Sequence, residues 1–130
     1  MNRFVGLAEW LKAGVKLTIN TDHIFGTDPD TAINPYNPFR TLHAAVTRKT
    51  DGGRVIGPAQ RITREQALRA MTSDAAWFSF DEVKKGSIEP GKLADFAILS
   101  DDYLTCPEER IREIKVLTTV VEGVSAHERK

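Results

Sequence analysis

The sequence predicts an α/β fold, with helices and a strand packed together up to about residue 85 and a small β-rich module over residues 86–130. Two observations lead to this prediction. Near the N-terminus a helical pattern is followed, after one glycine, by a strand pattern, and this succession is the repeating unit of α/β folds. Beyond Gly86, tight-turn and strand patterns replace the helical ones.

The N-terminal unit combines one helix and one strand. Four apolar residues at helical spacing place one apolar stripe on the predicted helix: Phe4, Leu7, Ala8 and Leu11. Asn2 can cap its start, and Gly14 supplies the left-handed residue that ends it. Residues 15–20, Val-Lys-Leu-Thr-Ile-Asn, alternate apolar and polar side chains and are rich in β-branched residues, so a strand is predicted.

The next stretch is irregular and then helical. Residues 21–36 are a predicted loop, interrupted by one glycine and two prolines. Asn37 followed by Pro38 predicts a helix N-cap with proline at the first helical position. One stripe of this helix carries Phe39, Leu42, His43 and Val46. We expect His43 to be partly buried, with its hydrogen bonds satisfied.

Two further helical segments precede residue 85. Residues 63–66, Thr-Arg-Glu-Gln, form a predicted capping box, in which the side chains of the first and fourth residues bind each other's backbone N–H. The helix that it opens continues through Ala67, Leu68 and Met71, and Ser73 or Asp74 can start another helical turn.

The C-terminal module begins with a turn. Pro90 fixes one dihedral and Gly91 supplies the positive φ that a type II turn requires. Residues 94–99 and 116–121 are predicted strands, the first of them buried. A short helix over residues 107–112 is predicted between them.

The composition excludes several classes of protein. Eighteen basic and eighteen acidic residues give no net charge, so nothing favours nucleic acid as a partner. No apolar run approaches the roughly 18 residues of a membrane span, and the N-terminus lacks the features of a signal peptide. The single cysteine, Cys106, rules out an internal disulfide and fits a reducing compartment. The expected location is the cytoplasm.

Two segments carry a resemblance to a known family. Residues 14–23, Gly-Val-Lys-Leu-Thr-Ile-Asn-Thr-Asp-His, read as a strand that ends in an aspartate. Residues 85–99, Lys-Gly-Ser-Ile-Glu-Pro-Gly-Lys-Leu-Ala-Asp-Phe-Ala-Ile-Leu, read as a turn and a strand. Together they resemble the C-terminal end of the amidohydrolase superfamily, in particular its amidohydrolase-3 branch, which residues 45–48 and 62–72 also match.

This resemblance implies a (β/α)8 barrel followed by a small β-sandwich. Residues 1–85 would be the last strand and helices of the barrel, and residues 86–130 the C-terminal part of the sandwich. A complete barrel takes about 250 residues, so the chain is expected to be a C-terminal fragment. The resemblance also implies one or two divalent metals, usually zinc, and hydrolysis of amide-type, non-peptide carbon–nitrogen bonds in a small molecule.

The metal ligands that the family supplies from its other strands are absent, namely a His-x-His pair, a bridging lysine or glutamate and two further histidines. A catalytic zinc usually takes three protein ligands and one water. We therefore expect the isolated chain to be inactive and to hold no metal alone.

Asp22 is the residue expected to act in the chemistry. In the complete site such a carboxylate is implied to contact the metal, to take a proton from metal-bound water and to return it to the departing nitrogen. The alternative is an Asx turn or a helix cap in a loop. His23 could contact the substrate, or could only pack or hydrogen-bond within the loop, and both interpretations stay open.

The function indicated is that of a metal-dependent hydrolase represented by its C-terminal fragment. Two alternatives are a catalytically inert truncated fragment and a binding or assembly module. An open sheet edge and uncovered apolar faces would favour self-association or pairing with a missing N-terminal portion. The resemblance implies that loops on the other strands of the barrel select the small-molecule substrate.

Overall fold

The computed structural model describes residues 5–22 and 36–129, which combine helices with one antiparallel sheet. The mixture of helices and strands that the sequence predicts is confirmed. The elements, in chain order, are α1 (Leu7–Lys12), α2 (Pro38–Thr47), α3 (Arg64–Met71), α4 (Ser73–Phe78), β1 (Phe96–Leu99), β2 (Val116–Val121) and β3 (Val124–Glu128). Two 3-10 helices span Pro58–Gln60 and Glu108–Glu113, and the second is called the 108–113 helix below.

Helix α1 ends as the sequence predicts. The N–H of Val15 donates to the carbonyl oxygen of Trp10 (2.9 Å) and the N–H of Gly14 to that of Leu11 (3.0 Å), with Gly14 at φ +77°. These two bonds form a Schellman motif, which satisfies carbonyl groups at the helix end. The start differs: α1 begins at Leu7 after Gly6, and the expected cap Asn2 lies outside the described residues.

The strand predicted for residues 15–20 is wrong, because residues 15–22 form neither helix nor strand. The exposure of their side chains nevertheless alternates. Leu17 is buried and Ile19 and Thr21 are half-buried, whereas the residues between them are exposed. A strand needs a neighbouring strand for its backbone hydrogen bonds. Here the N–H of Ile19 donates instead to the carbonyl oxygen of Ala70 in α3 (3.1 Å).

Helix α2 starts at the predicted cap. The side-chain oxygen of Asn37 accepts from the N–H of Phe39 (3.0 Å), and Pro38 occupies the first helical position. The predicted stripe is buried and packs against the 108–113 helix, whose Ile111 is fully buried. The short helix expected over residues 107–112 is therefore present, in the tighter 3-10 form.

The capping box of α3 is confirmed with both of its hydrogen bonds. The N–H of Gln66 donates to Thr63 Oγ1 (3.2 Å), and the N–H of Thr63 donates to Gln66 Oε1 (2.8 Å). Helix α4 then begins at Ser73, as expected.

Gly86 lies where the chain passes the start of α4. A Cβ at this position would lie 2.6 Å from the Cβ of Ala76 and 3.2 Å from the carbonyl oxygen of Thr72, and the backbone has φ +94°. Both the contact and the dihedral exclude a side chain. The passage from the helices to the C-terminal sheet thus depends on this glycine.

The predicted turn before the sheet is confirmed. The N–H of Lys92 donates to the carbonyl oxygen of Glu89 (3.1 Å), and Gly91 has φ +91°. Strand β1 then pairs antiparallel with β2, with Phe96 opposite Val120. The expectation that this strand is buried is wrong, since Phe96 is 39% and Ile98 49% exposed. β1 is an edge strand within the described sheet, so it is covered on fewer sides than its apolar sequence suggests.

Strand β3 is not among the predicted elements. It pairs antiparallel with β2 through a two-residue turn, Glu122–Gly123, whose φ angles are +50° and +79°. Positive φ at both residues is typical of type I′ hairpins. Gly123 is a turn residue that the sequence shows, but the polar residues that follow it resemble a solvated tail and not a strand.

One core cluster joins residues from both sides of position 85. It includes Leu7, Leu17, Leu42, Val46, Ala67, Ala70, Tyr103, Cys106, Ile111 and Ile114. The boundary near Lys85 stays a prediction. Among the described residues, no helix has the length and apolar character required to cross a membrane.

Candidate functional site

Asp22 lies exposed at the end of the segment 15–22. Its backbone has φ +50°, a left-handed conformation that side chains other than glycine adopt seldom and that often marks functional positions. The side-chain oxygen of Asn20 accepts from the N–H of Asp22 (2.7 Å). This is an Asx turn made by Asn20, so the turn does not require the carboxylate of Asp22.

Three contacts fix the segment that carries Asp22. Leu17 belongs to the core cluster, and the N–H of Ile19 is bonded to α3. The ammonium group of Lys16 lies 4.5 Å from the ring centroid of Trp77, within the range of a cation–π interaction. The segment is therefore attached to α3 and α4 just before the exposed aspartate.

The described residues do not fit a metal ion on their own. Residues 5–22 and 36–129 contain no group of three or more histidine, cysteine, aspartate or glutamate side chains that could hold one. Asp22 supplies one carboxylate, which is fewer than the three protein ligands of a catalytic zinc. His23 lies outside the described residues, so its predicted contact with substrate stays a prediction.

His43 differs from the expectation. It is buried, with only 4% of its surface exposed, and its Nε2 has no hydrogen-bond partner within the described part of the chain. A carboxylate oxygen of Glu109 lies 3.7 Å away, and the same carboxylate forms an ion pair with Lys49. Burial lowers the pKa of His43 below 6.5, and the pull of Glu109 in the opposite direction does not compensate. The apolar stripe of α2 correctly indicated that His43 is buried, but it could not show which hydrogen-bonding groups lie near the imidazole.

A cavity of about 890 Å³ lies between the helices and β1. Its walls are mainly apolar and include Phe39, Leu42, Met71, Ala76, Phe96 and Leu99. The volume falls within the roughly 300–1,000 Å³ of ligand pockets. Asp22 does not line it, so this cavity is separate from the candidate catalytic residue. No sequence motif could reveal it, because its walls come from several distant elements.

Comparison with known families and proteins gives a consistent result. Residues 6–127 match the model of the amidohydrolase family. The chain is 36% identical over 119 residues to the N-substituted formamide deformylase of Arthrobacter pascens, covering 92% of this chain and 20% of that protein. It is 42% identical over 76 residues to the protein LONG AFTER FAR-RED 3 of Arabidopsis thaliana, covering 58% of this chain and 13% of that protein.

A solved structure shares the fold. The crystal structure of an amidohydrolase from Thermotoga maritima MSB8 superposes with a TM-score of 0.67 at 20% identity, covering 99% of this chain and 29% of that chain. The chain thus spans at most about a fifth of the length of these two curated relatives and under a third of the solved structure.

Proposed function

Because this chain belongs to the amidohydrolase family, we propose that it is the C-terminal part of a metal-dependent hydrolase. The complete enzyme would cleave amide-type, non-peptide carbon–nitrogen bonds in a small molecule. The observation that carries the proposal is the placement of Asp22, exposed in a left-handed conformation at the end of an anchored segment. The divalent metal, zinc by the resemblance, would be held mainly by residues of the preceding portion, and the 130-residue chain alone would be inactive.

The proposed role of Asp22 is proton transfer. A carboxylate at this position takes a proton from the attacking water and returns it to the nitrogen that leaves, acting first as a general base and then as a general acid. The turn made by Asn20 supports this role, because it fixes the backbone of the exposed Asp22. His23, the next residue, is proposed to contact the substrate.

The proposed architecture places Asp22 at the end of a barrel strand. Residues 15–22, which form no strand in this structure, would pair as the last strand of a (β/α)8 barrel in the complete protein, and residues 86–130 would contribute to a β-sandwich. The alternating exposure of residues 17–21 supports this assignment, because it has the period of a strand. The neighbouring strands that would pair with it would come from the preceding portion. Active sites of such barrels lie at the C-terminal ends of the strands.

The name of one relative suggests which class of substrate to assay first. One protein similar to this chain is named an N-substituted formamide deformylase, which supports N-substituted formamides as the first compounds to assay. Their hydrolysis would give formate and an amine.

A chimera tests the proposal. This chain would replace the corresponding fifth of the Arthrobacter pascens protein, and formate release from an N-substituted formamide would be measured. We expect activity in the chimera, loss of activity in the chimera with Asp22→Ala, and none in the 130-residue chain. A folded, metal-containing chimera whose activity is unaffected by Asp22→Ala would refute the role of Asp22. A folded, metal-containing chimera without activity would count against the hydrolase proposal.

A binding or assembly module is the second candidate function. Two observations favour it, namely the apolar cavity and the exposure of large apolar residues at the end of α4 and after it. Phe78, Phe80 and Ile88 are 68%, 88% and 85% exposed. Apolar surface of this kind marks interaction sites, so the proposed partners are a second copy of the chain or the preceding portion of the protein.

A further inference from the structure

The contact between α2 and the 108–113 helix contains a buried histidine that faces a shared carboxylate. His43 Nε2 lies 3.7 Å from an oxygen of Glu109, beyond hydrogen-bond distance. Glu109 is already paired with Lys49, which follows α2. The positive charge of Arg112, in the 108–113 helix, also lowers the pKa of the imidazole. Among the described residues, one carboxylate and two cations therefore act on His43.

Protonation of His43 would add a positive charge beside the Glu109–Lys49 pair and near Arg112, whose guanidinium lies 3.9 Å from the carboxylate of Asp51. The side chain is almost completely removed from water, in the interface between two helices that also buries Ile111 completely, so little solvent is available to stabilise the charge. Glu109 could offset the charge only by sharing its interaction with Lys49. The neutral imidazole, in contrast, packs as part of the apolar stripe of α2.

We infer that His43 makes the contact between α2 and the 108–113 helix sensitive to acid, so that a proton on its imidazole weakens the contact. The start of α2 depends on the same helix, because the side-chain amide of Asn37 donates to the carbonyl oxygen of Arg112 (3.3 Å). Weakening the contact would therefore loosen α2 as a unit. The contact is independent of Asp22 and of the proposed hydrolase activity.

The direction of the pH dependence follows from the folded and unfolded states. In the unfolded chain His43 titrates at its ordinary value of 6.5, whereas burial lowers its pKa in the folded chain. The unfolded state therefore binds the proton more readily, and the stability that neutral His43 contributes is complete above pH 6.5. It is lost as the pH falls from 6.5 through the lower pKa of the folded state.

Two measurements on the 130-residue chain test this inference. Proton NMR would follow the imidazole resonances between about pH 8 and about pH 5, the range in which histidines titrate. His23→Gln and His127→Gln would assign the three histidines. Amide hydrogen exchange, corrected for intrinsic rates, would report the protection of α2 and the 108–113 helix. We expect His43 to titrate below 6.5 and protection to be lost with acid, by at most about tenfold per pH unit for one proton.

Matched variants distinguish the effect of protonating His43 from other effects of low pH on the chain. His43→Gln should remove the acid-dependent loss of protection, whereas His127→Gln, on the exposed strand β3, should retain it. Glu109→Gln should move the titration of His43 to lower pH, because its carboxylate favours the protonated form. Titration of His43 at or above 6.5, or an equal loss of protection in His43→Gln, would overturn the inference. If His43→Gln does not fold, the NMR titration of His43 in the unsubstituted chain still tests the inference.

Discussion

The hydroxyl of Tyr103 donates to the carbonyl oxygen of Arg64 (3.2 Å), and the guanidinium of Arg64 donates to the carbonyl oxygen of Tyr103 (2.8 Å). Arg64 also donates to the carbonyl oxygen of Cys106 (2.6 Å). These bonds attach the first residue of α3 to the loop that leads into the 108–113 helix. They therefore join the two halves of the chain at the edge of the core cluster, to which Tyr103 and Cys106 belong.

Arg64→Met should lower the free energy of unfolding by about 1–3 kcal/mol, because two part-buried carbonyl oxygens lose a charged donor. Urea denaturation would measure the change. Arg69→Met is the matched control, since Arg69 is exposed on the same helix, and it should change stability by less than about 0.5 kcal/mol. Equal effects of the two substitutions would show that the bonds of Arg64 contribute nothing specific.

Tyr103 should make the fold sensitive to alkali. Burial raises its pKa from 10.0 to about 12. The unfolded chain therefore loses the phenolic proton first, and the stability from neutral Tyr103 is present below pH 10.0 and lost as the pH rises to about 12. Tyr103→Phe should reduce this alkaline loss and cost about 0.5–1.5 kcal/mol at neutral pH for the missing hydrogen bond. Thermal unfolding at several pH values measures both, with Tyr36→Phe as the exposed control. An unchanged alkaline loss in Tyr103→Phe would contradict the assignment.

Asp22→Asn should slow turnover in the chimera by roughly 10²–10⁴-fold, because asparagine keeps the shape of the side chain but cannot transfer the proton. Folding should change little, since the turn at this position is made by Asn20. Single-turnover kinetics with metal analysis would measure the effect. Near-normal turnover with unchanged metal content would remove Asp22 from the mechanism. His23→Ala serves as a comparison, and should weaken substrate binding more than it slows turnover.

The isolated chain should bind zinc weakly or not at all. One carboxylate from Asp22 does not make a preformed tetrahedral site, and the described residues offer no cluster that would complete one. Calorimetric titration of the 130-residue chain with zinc measures this directly. A single site of sub-micromolar affinity that Asp22→Ala abolishes would show that the chain carries a complete metal site.

The chain should associate with itself at high concentration. Phe78, Phe80 and Ile88 expose apolar surface, and β1 and β3 are the edges of the described sheet. Light scattering with increasing concentration would reveal association. Phe80→Ser together with Ile88→Ser should reduce it, whereas Val124→Ser, on β3, tests the contribution of the sheet edge. A well-folded monomer at all concentrations would count against the fragment interpretation.

The helix boundaries that the sequence predicted correctly depend on local hydrogen bonds. The Asn37–Pro38 helix start, the Thr63–Gln66 capping box and the end of α1 at Gly14 each involve partners at most five residues apart. Such bonds need no partner from a distant part of the chain, so residue type and spacing are sufficient to predict them. The hairpin at Glu122–Gly123 also had a local signal, which was outweighed by the polar residues that follow.

The sequence by itself determined the family, the helix boundaries that local caps define, and the position of Asp22 as the candidate for catalysis. Only the tertiary structure decided that, within residues 5–22 and 36–129, residues 15–20 have no paired strand, that β1 is exposed, and that His43 Nε2 is buried near Glu109 without a hydrogen-bond partner. The physical reason is that strand pairing and burial depend on residues distant in sequence. His43 and Glu109 meet because α2 packs on the 108–113 helix, a contact that no spacing along the chain specifies.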